Sequence, residues 1–344
     1  MLIEDYISFI VSKRWQKVGD FVLKMPITAI EGITNYDDLI YNFVKYKTDT
    51  TEGFLVIESY EVDYNATDGE TITIEGRDLL CILANRIVWG QFIQSSTTIK
   101  TIVDRLINTQ VKNPTWMPNR ALGDKFVIGL YTASDSIDAR QFTGDNLFDA
   151  IISVCGDNYS PLIYWDKNVG TNGAYVFGLY HADSNIKAYF SEALGNLEEL
   201  QMYFATQDFK NISLTAGEGE GIDRKSISYN LTGVPTKYQS QGINRKELFV
   251  DARNISSNNG EIGDTEYFEM LTAKGKEELE KSSIKRSITA KIDTSELVYG
   301  VGYNVGDLIQ INYKDNVWRA RITEYIICQD DNGYQEYPNF EIII

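Results

Sequence analysis

Glu70-Thr71-Ile72-Thr73-Ile74-Glu75-Gly76-Arg77-Asp78-Leu79-Leu80 holds the turning point of the first ninety residues. Through Glu75, polar and apolar side chains alternate, the period of a strand with one buried face. After Gly76-Arg77-Asp78 the period lengthens. Leu79, Leu80, Ile82, Leu83 and Ile87 fall at helical spacing, with Asp78 placed as an N-cap. Working backwards, Asp68-Gly69 is a hairpin signal, and Phe54 to Tyr64, with Leu55 and Ile57 on one face, supplies the partner strand. Earlier still, Trp15 to Pro26 reads as strand, with a turn-like Gly19-Asp20 and an apolar run that ends at Pro26.

Working forwards, Ile99, Ile102, Val103, Leu106 and Ile107 mark one helix face after Ser95-Ser96-Thr97-Thr98. A further helix is expected over 145–154, with Gly156 as its stop. Leu162 to Asp166 and Ala174 to Tyr180 flank a Gly/Asn-rich turn and read as a hairpin. Strands return beyond Asn211, among them Lys225 to Asn230. Thr265 to Ser282 is helical in pattern, with a Lys/Glu face toward water. From Ile284 the chain alternates again, and Val305-Gly306-Asp307 echoes Val18-Gly19-Asp20, a hint that the first and last strand-rich regions are duplicated barrels.

Composition narrows the chemistry. The chain has 344 residues, 43% hydrophobic and 24% charged, and its 22 Tyr favour strands. No apolar run approaches a membrane span, the longest being pieces such as Ile7-Ser8-Phe9-Ile10-Val11. The acidic start Met1-Leu2-Ile3-Glu4-Asp5-Tyr6 lacks the basic region of a secretion signal, so folding in the cytoplasm is expected. With 32 Lys and Arg against 49 Asp and Glu the net charge is −17, which disfavours tight nucleic-acid binding. DNA remains possible as a passenger, because acidic walls let a phosphate backbone slide.

Candidate chemistry is thin. His181 is the only histidine, which removes histidine triads and multi-histidine zinc sites; it reads as a polar residue at a strand end. Cys81, Cys155 and Cys328 are scattered and read as buried thiols. Ala216-Gly217-Glu218-Gly219-Glu220-Gly221-Ile222 has the wrong spacing and charge for a phosphate loop and reads as a turn. Asp135-Ser136-Ile137-Asp138 and Asp330-Asp331-Asn332-Gly333 lack calcium-loop spacing. Arg319 and Arg321 share a strand face and are expected to pair with carboxylates across strands or subunits. No catalytic, cofactor-binding or metal-ligating residue is assigned, and no enzymatic activity is expected.

In order along the chain, several segments resemble the tail-hub, or tail-associated (Tal-type), baseplate proteins of long-tailed phages. They are Trp15 with Gly19-Asp20-Phe21; Thr71 through Leu79 with its Gly-Arg-Asp; and Arg86-Ile87-Val88. The helix at 97–107 with Asn113-Pro114 and Arg120 fits too, as do Phe190-Ser191, Gly195-Asn196-Leu197, Asp208 and Asn211. Val250 to Ile255, the helix holding Leu271, Gly275, Glu278 and Leu279, and Tyr303 to Asp307 come next, then Arg321 to Glu324 and Tyr337 to Phe340. The family is similar to the hub of contractile tails and the base of type VI secretion spikes.

The resemblance implies a strand-rich mixed α+β fold with two tube-forming β-barrel domains, an inserted α/β domain and a helical insertion. The expected boundaries are 1–90 for the first barrel, 91–205 for the α/β insertion, 206–245 with 284–344 for the second barrel, and 246–283 for the helical insertion. It implies a structural hub subunit of a tail tip, in the virion, forming a homotrimeric ring that encloses the DNA and tape-measure channel. Implied partners are the distal tail or tail-tube protein, the tape-measure protein and tip or receptor-binding proteins, with no membrane anchor. The chain ends at Phe340-Glu341-Ile342-Ile343-Ile344, near the end of the presumed last barrel, so a minimal hub is expected. Alternatives are a tail-associated cell-wall hydrolase working through unidentified carboxylates, and a sugar-binding tip module using the aromatic residues.

Overall fold

The computed structural model describes residues 2–66, 69–182, 184–292 and 298–343, with backbone alone at 287–292. The chain opens with five strands: β1 (Ser8–Arg14), β2 (Asp20–Pro26), β3 (Phe43–Lys47), β4 (Glu52–Asn65) and β5 (Gly69–Asp78). The expected β4–β5 hairpin is present, and Gly69 takes φ +79°; Asp68 lies outside the described residues. The turn before β2 sits earlier than expected, around Gln16 at φ +51°. Gly19 serves close packing instead: a Cβ there would overlap the Ser12 carbonyl oxygen. The helix after Asp78 shrinks to one turn, α1 (Cys81–Ala84). Arg86 leaves it to donate to the carbonyls of Gln110 and Arg120, 3.1 and 2.9 Å away.

The next segment carries β6 (Gln91–Gln94), β7 (Thr97–Thr98), α2 (Ile99–Ile107), β8 (Phe126–Ile128), β9 (Ser136–Ile137), β10 (Arg140–Thr143), α3 (Leu147–Cys155), β11 (Tyr159–Asp166) and β12 (Ala174–His181). The helices fall where the 3.6-residue period puts them. Thr98 accepts from the Thr101 amide at the start of α2, Asn146 caps α3, and Gly156 at φ +56° stops it. Ile102, Val103, Leu106, Leu147, Ile151, Val154, Phe126 and Phe177 build a separate core here.

Two strands then depart from the expected grouping. β13 (Ile186–Ser191) and β14 (Leu197–Ala205), read in sequence as the end of the insertion, pair with strands eighty or more residues downstream. The expected second-barrel segment 206–245 also pairs elsewhere. β15 (Ile212–Ala216) is the centre of a three-stranded sheet between β16 (Ser226–Asn230) and β17 (Glu247–Asp251). Helix α4 (Asp264–Lys281) covers one face of it, burying Tyr267, Met270 and Leu271. Gly275 is the closest approach: a Cβ there would run into the hydroxyls of Thr215 and Ser213. The chain closes with β18 (Lys285–Ile292), β19 (Leu308–Tyr313), β20 (Asn316–Asp330) and β21 (Gly333–Ile343).

First and last strands form one eleven-stranded sheet, ordered β14-β18-β21-β20-β1-β2-β5-β4-β3, with β19 also on β20 and β13 on β19. The link is β20, whose first half pairs with β19 and second half with β1. A single core runs beneath both parts, from Phe21, Met25, Ile72 and Ile74 to Ile309, Ile311, Tyr325 and Phe340. Tyr299 stacks on Tyr325 at 3.7 Å within it, one use of the many tyrosines. The fold is thus strand-rich mixed α+β. Among the described residues its strand pairings form an open path, not a closed barrel.

Candidate junction and assembly surfaces

Three parts of the chain meet at Trp15, in the turn after β1. Its buried ring packs on Gly306, where φ is +99° and a Cβ would overlap the indole. The Arg321 guanidinium, on β20, lies 5.2 Å from the ring centroid and donates to the Gly306 carbonyl at 2.8 Å. Tyr180, from β12, meets Trp15 edge-on at 6.2 Å and donates to the buried carboxylate of Asp307 at 2.6 Å. Asp307 also accepts from the Asn304 amide at 2.9 Å. The two Val-Gly-Asp runs therefore converge on one junction with different tasks. Asp20 holds Arg14 at 2.5 Å, and Arg14 reaches Glu324 on β20 at 2.7 Å.

Beside this junction a cleft of about 560 Å³ opens between β1, the β11–β12 hairpin and the loop at Tyr299–Val305. Lys13 points into it, bonded to the Thr51 hydroxyl and 5.6 Å from the ring centres of both Tyr46 and Tyr299. Burial lowers its pKa to about 8, partly offset by Asp78 and Glu336. Asp78 accepts from the amides of Gly19 and Leu80, both at 2.9 Å, and burial pushes its pKa up to about 6. Sequence spacing marks Asp78 only as a cap; its second oxygen also ties β5 to the β1–β2 turn. Lys13, Tyr46 and Tyr299 carried no sequence signal, since their meeting depends on pairings across the whole chain.

The other residues singled out by sequence stay apart. His181 ends β12, exposed, with its ring 4.7 Å from that of Tyr159. Cys81 and Cys155 are buried and Cys328 partly so; burial raises all three thiols, Cys81 to about 12. The acidic glycine run turns β15 into β16, and Glu218 accepts from the Ser257 amide at 3.1 Å. Asp331-Asn332 make the two-residue β20–β21 turn, where Asp330 accepts from the Asn332 amide at 2.8 Å. Arg321 donates to a backbone carbonyl, where a carboxylate was expected, with Glu341 opposite it in register.

Asp138, Asp157, Glu277 and Glu280 border a second cleft of about 310 Å³, together with Arg140 and Lys276. Burial raises the Glu280 carboxyl. Among the described residues no group of three or more His, Cys, Asp or Glu is placed to hold a metal ion. No helix among them is long and apolar enough to cross a membrane.

Two surfaces stand out. The β4–β5 ribbon extends past the core into an exposed arm bearing Glu61, Asp63 and Glu70, and no Lys or Arg occurs from Thr48 to Gly76. On β14, Met202, Tyr203 and Phe204 are 53%, 54% and 53% exposed. Their uninterrupted apolar run was a signal in the sequence, masked by the assignment of that stretch to the insertion.

A family model described as siphovirus ReqiPepy6 Gp37-like protein matches residues 1–338. The chain belongs to this family. No curated protein matches the sequence. In structure, this Gp37-like protein is similar to the tail protein from Neisseria meningitidis MC58, at 12% identity and a TM-score of 0.57, covering 98% of this chain and 92% of that one. It is similar to the 43 kDa tail protein of prophage MuSo2 from Shewanella oneidensis, at 13% identity and a TM-score of 0.55, covering 98% and 94%. A component of the E. coli type VI secretion system aligns at 11% identity and a TM-score of 0.47, over 98% of this chain and 73% of its own. At such identities the first two likenesses show the fold, which is that of phage tail proteins. Family and fold agree: the chain is a member of a siphovirus protein family and is built on the fold of phage tail proteins.

Proposed function

We propose that this chain is a hub subunit of a phage tail tip: three copies close a ring that joins the tail tube to the tip and surrounds the channel for DNA and the tape-measure protein. The observation that carries the reading is the open sheet. Its strands run the length of the chain around one core, yet end on an unpaired edge at β3 and another at β14 among the described residues. A protein that leaves both ends of its main sheet open is suited to continue it in other copies, and head-to-tail contacts close into rings.

In this reading β1–β5 form one tube-building half, and β13, β14 and β18–β21 the other. The acidic β4–β5 arm and the net charge of −17 suit a wall past which DNA slides without sticking. Expected neighbours are a distal tail or tube protein on one side, and the tape-measure, tip or receptor-binding proteins on the other. The role lies in shape and assembly, not in turnover. Negative-stain electron microscopy of concentrated protein tests it: threefold rings with a central hole are expected, and isolated compact particles at every concentration would overturn it. The hydrolase alternative has one foothold, the carboxylates of the smaller cleft. Incubation with purified sacculi is expected to release no soluble glycan or peptide; release that Glu280→Gln abolishes would establish that alternative.

A further inference from the structure

We infer that the cleft beside the Trp15 junction binds an acid sugar, with the ligand's carboxylate on the Lys13 ammonium and its ring against Phe54 and Trp165. This goes beyond the hub reading and does not depend on ring closure, since every residue involved lies in one chain. At about 560 Å³ the cleft falls within the range of about 300–1,000 Å³ that takes small molecules.

Lys13 sets the charge of the ligand. An ammonium group has three donors, and among the described residues that of Lys13 meets one acceptor, the Thr51 hydroxyl. Its other close neighbours are the rings of Tyr46 and Tyr299, whose centroids are both 5.6 Å away. Lys13 makes no salt bridge among the described residues, and the charges of Asp78 and Glu336 reach it only from a distance. Those two carboxylates are engaged elsewhere. Asp78 accepts from the amides of Gly19 and Leu80 at 2.9 Å, and Glu336 from the hydroxyls of Tyr325 and Tyr334. A partly buried cation without a counter-ion is costly, and a ligand carboxylate supplies both the missing charge and acceptors for the idle donors. A single cation matches a carboxylate better than a phosphate dianion, which Asp78 and Glu52 at the cleft would repel.

The walls set the body of the ligand. Phe54 and Trp165, packed on the small core of Val56, Leu79 and Cys81, line the cleft with partly exposed rings. Neighbouring rings are held from behind. A Cβ at Gly173 would overlap Trp165 and one at Gly53 would overlap Tyr46, so both rings lie close on glycine backbone, and Tyr299 stacks on Tyr325 at 3.7 Å. Rings fixed before a ligand arrives lose little freedom when it binds. Such rings suit the apolar C–H face of a pyranose. Glu52, also lining the cleft, is 3.3 Å from Lys45 with both side chains more than half exposed. So weak a pair yields readily to sugar hydroxyls, which need an acceptor that a purely apolar ligand does not.

Saturation-transfer NMR tests the assignment with glucuronic acid, N-acetylneuraminic acid and N-acetylmuramic acid, against glucose and acetate as controls. At least one acid sugar is expected to bind, about tenfold or more tighter than either control. Lys13→Met keeps the length of the side chain and is expected to bring that sugar down to the level of glucose. Trp165→Leu is expected to weaken both sugars; urea midpoints report whether each variant is folded. No transfer to any of the three acid sugars would overturn the inference. Acetate binding as tightly as the acid sugar would mean a site for a bare carboxylate and would overturn it too, as would glucose binding equally well or undiminished binding by folded Lys13→Met. None of these outcomes bears on ring closure, which microscopy reads separately.

Discussion

Gly306 has a left-handed φ and no space for a side chain, because the Trp15 ring occupies the place of its Cβ. Substitution by Ala adds backbone strain to overlap inside a packed junction, and is expected to cost about 2–4 kcal/mol. Gly32, at a similar φ but in open space, isolates the backbone part, expected at about 1 kcal/mol. Urea midpoints of the two variants check this. Asp78 gives a pH-dependent signature. Its folded-state pKa of about 6 lies above the ordinary 3.8, so its stabilising contribution is complete below pH 3.8 and is lost as pH rises through 6. The stability advantage of wild type over Asp78→Asn is therefore expected to shrink between pH 4 and 6.5, read from paired urea titrations. At this scale the sequence revealed which residues were special more readily than why. The Val-Gly-Asp echo was visible, but Gly19 clears a carbonyl and Gly306 an indole, and only the fold brings Trp15 to Gly306.

Helix α4 shows how elements draw on unequal forces. Leu271 is fully buried against the three-stranded sheet, while Lys281 reaches Glu277 and Glu278 at 2.7 and 2.9 Å in the open. Leu271→Ala is expected to lower stability by about 2–4 kcal/mol, and Lys281→Ala by about 0.5 kcal/mol or less, in thermal or urea melts. The helices α2, α3 and α4 were legible within a residue or two, since their period and caps are local. The β4–β5 and β11–β12 hairpins were legible for the same reason. The placement of β13 and β14 was not. Ile186 pairs with Leu308, and Leu197 with Ile292, and nothing in a strand's own pattern names a partner so far away. Segment 206–245 went astray likewise: it alternates as a barrel strand would, and only α4 over its sheet reveals a unit of its own.

For the whole molecule, the one sheet that joins the ends of the chain matters most. It places the two Val-Gly-Asp runs, from the first and last regions, on either side of one junction. Among the described residues the histidine and the three thiols lie apart, and the main sheet keeps open edges at β3, β13 and β14. The tail reading rests on the order of many weak motifs; the family match makes the chain a siphovirus Gp37-like protein, and the likeness in fold to phage tail proteins supports the reading. The ring has to be tested on the protein itself. Sedimentation velocity across a wide concentration range does so most directly. A species of three times the 39.1 kDa subunit mass is expected to grow in as concentration rises. A single species at the subunit mass throughout would contradict it.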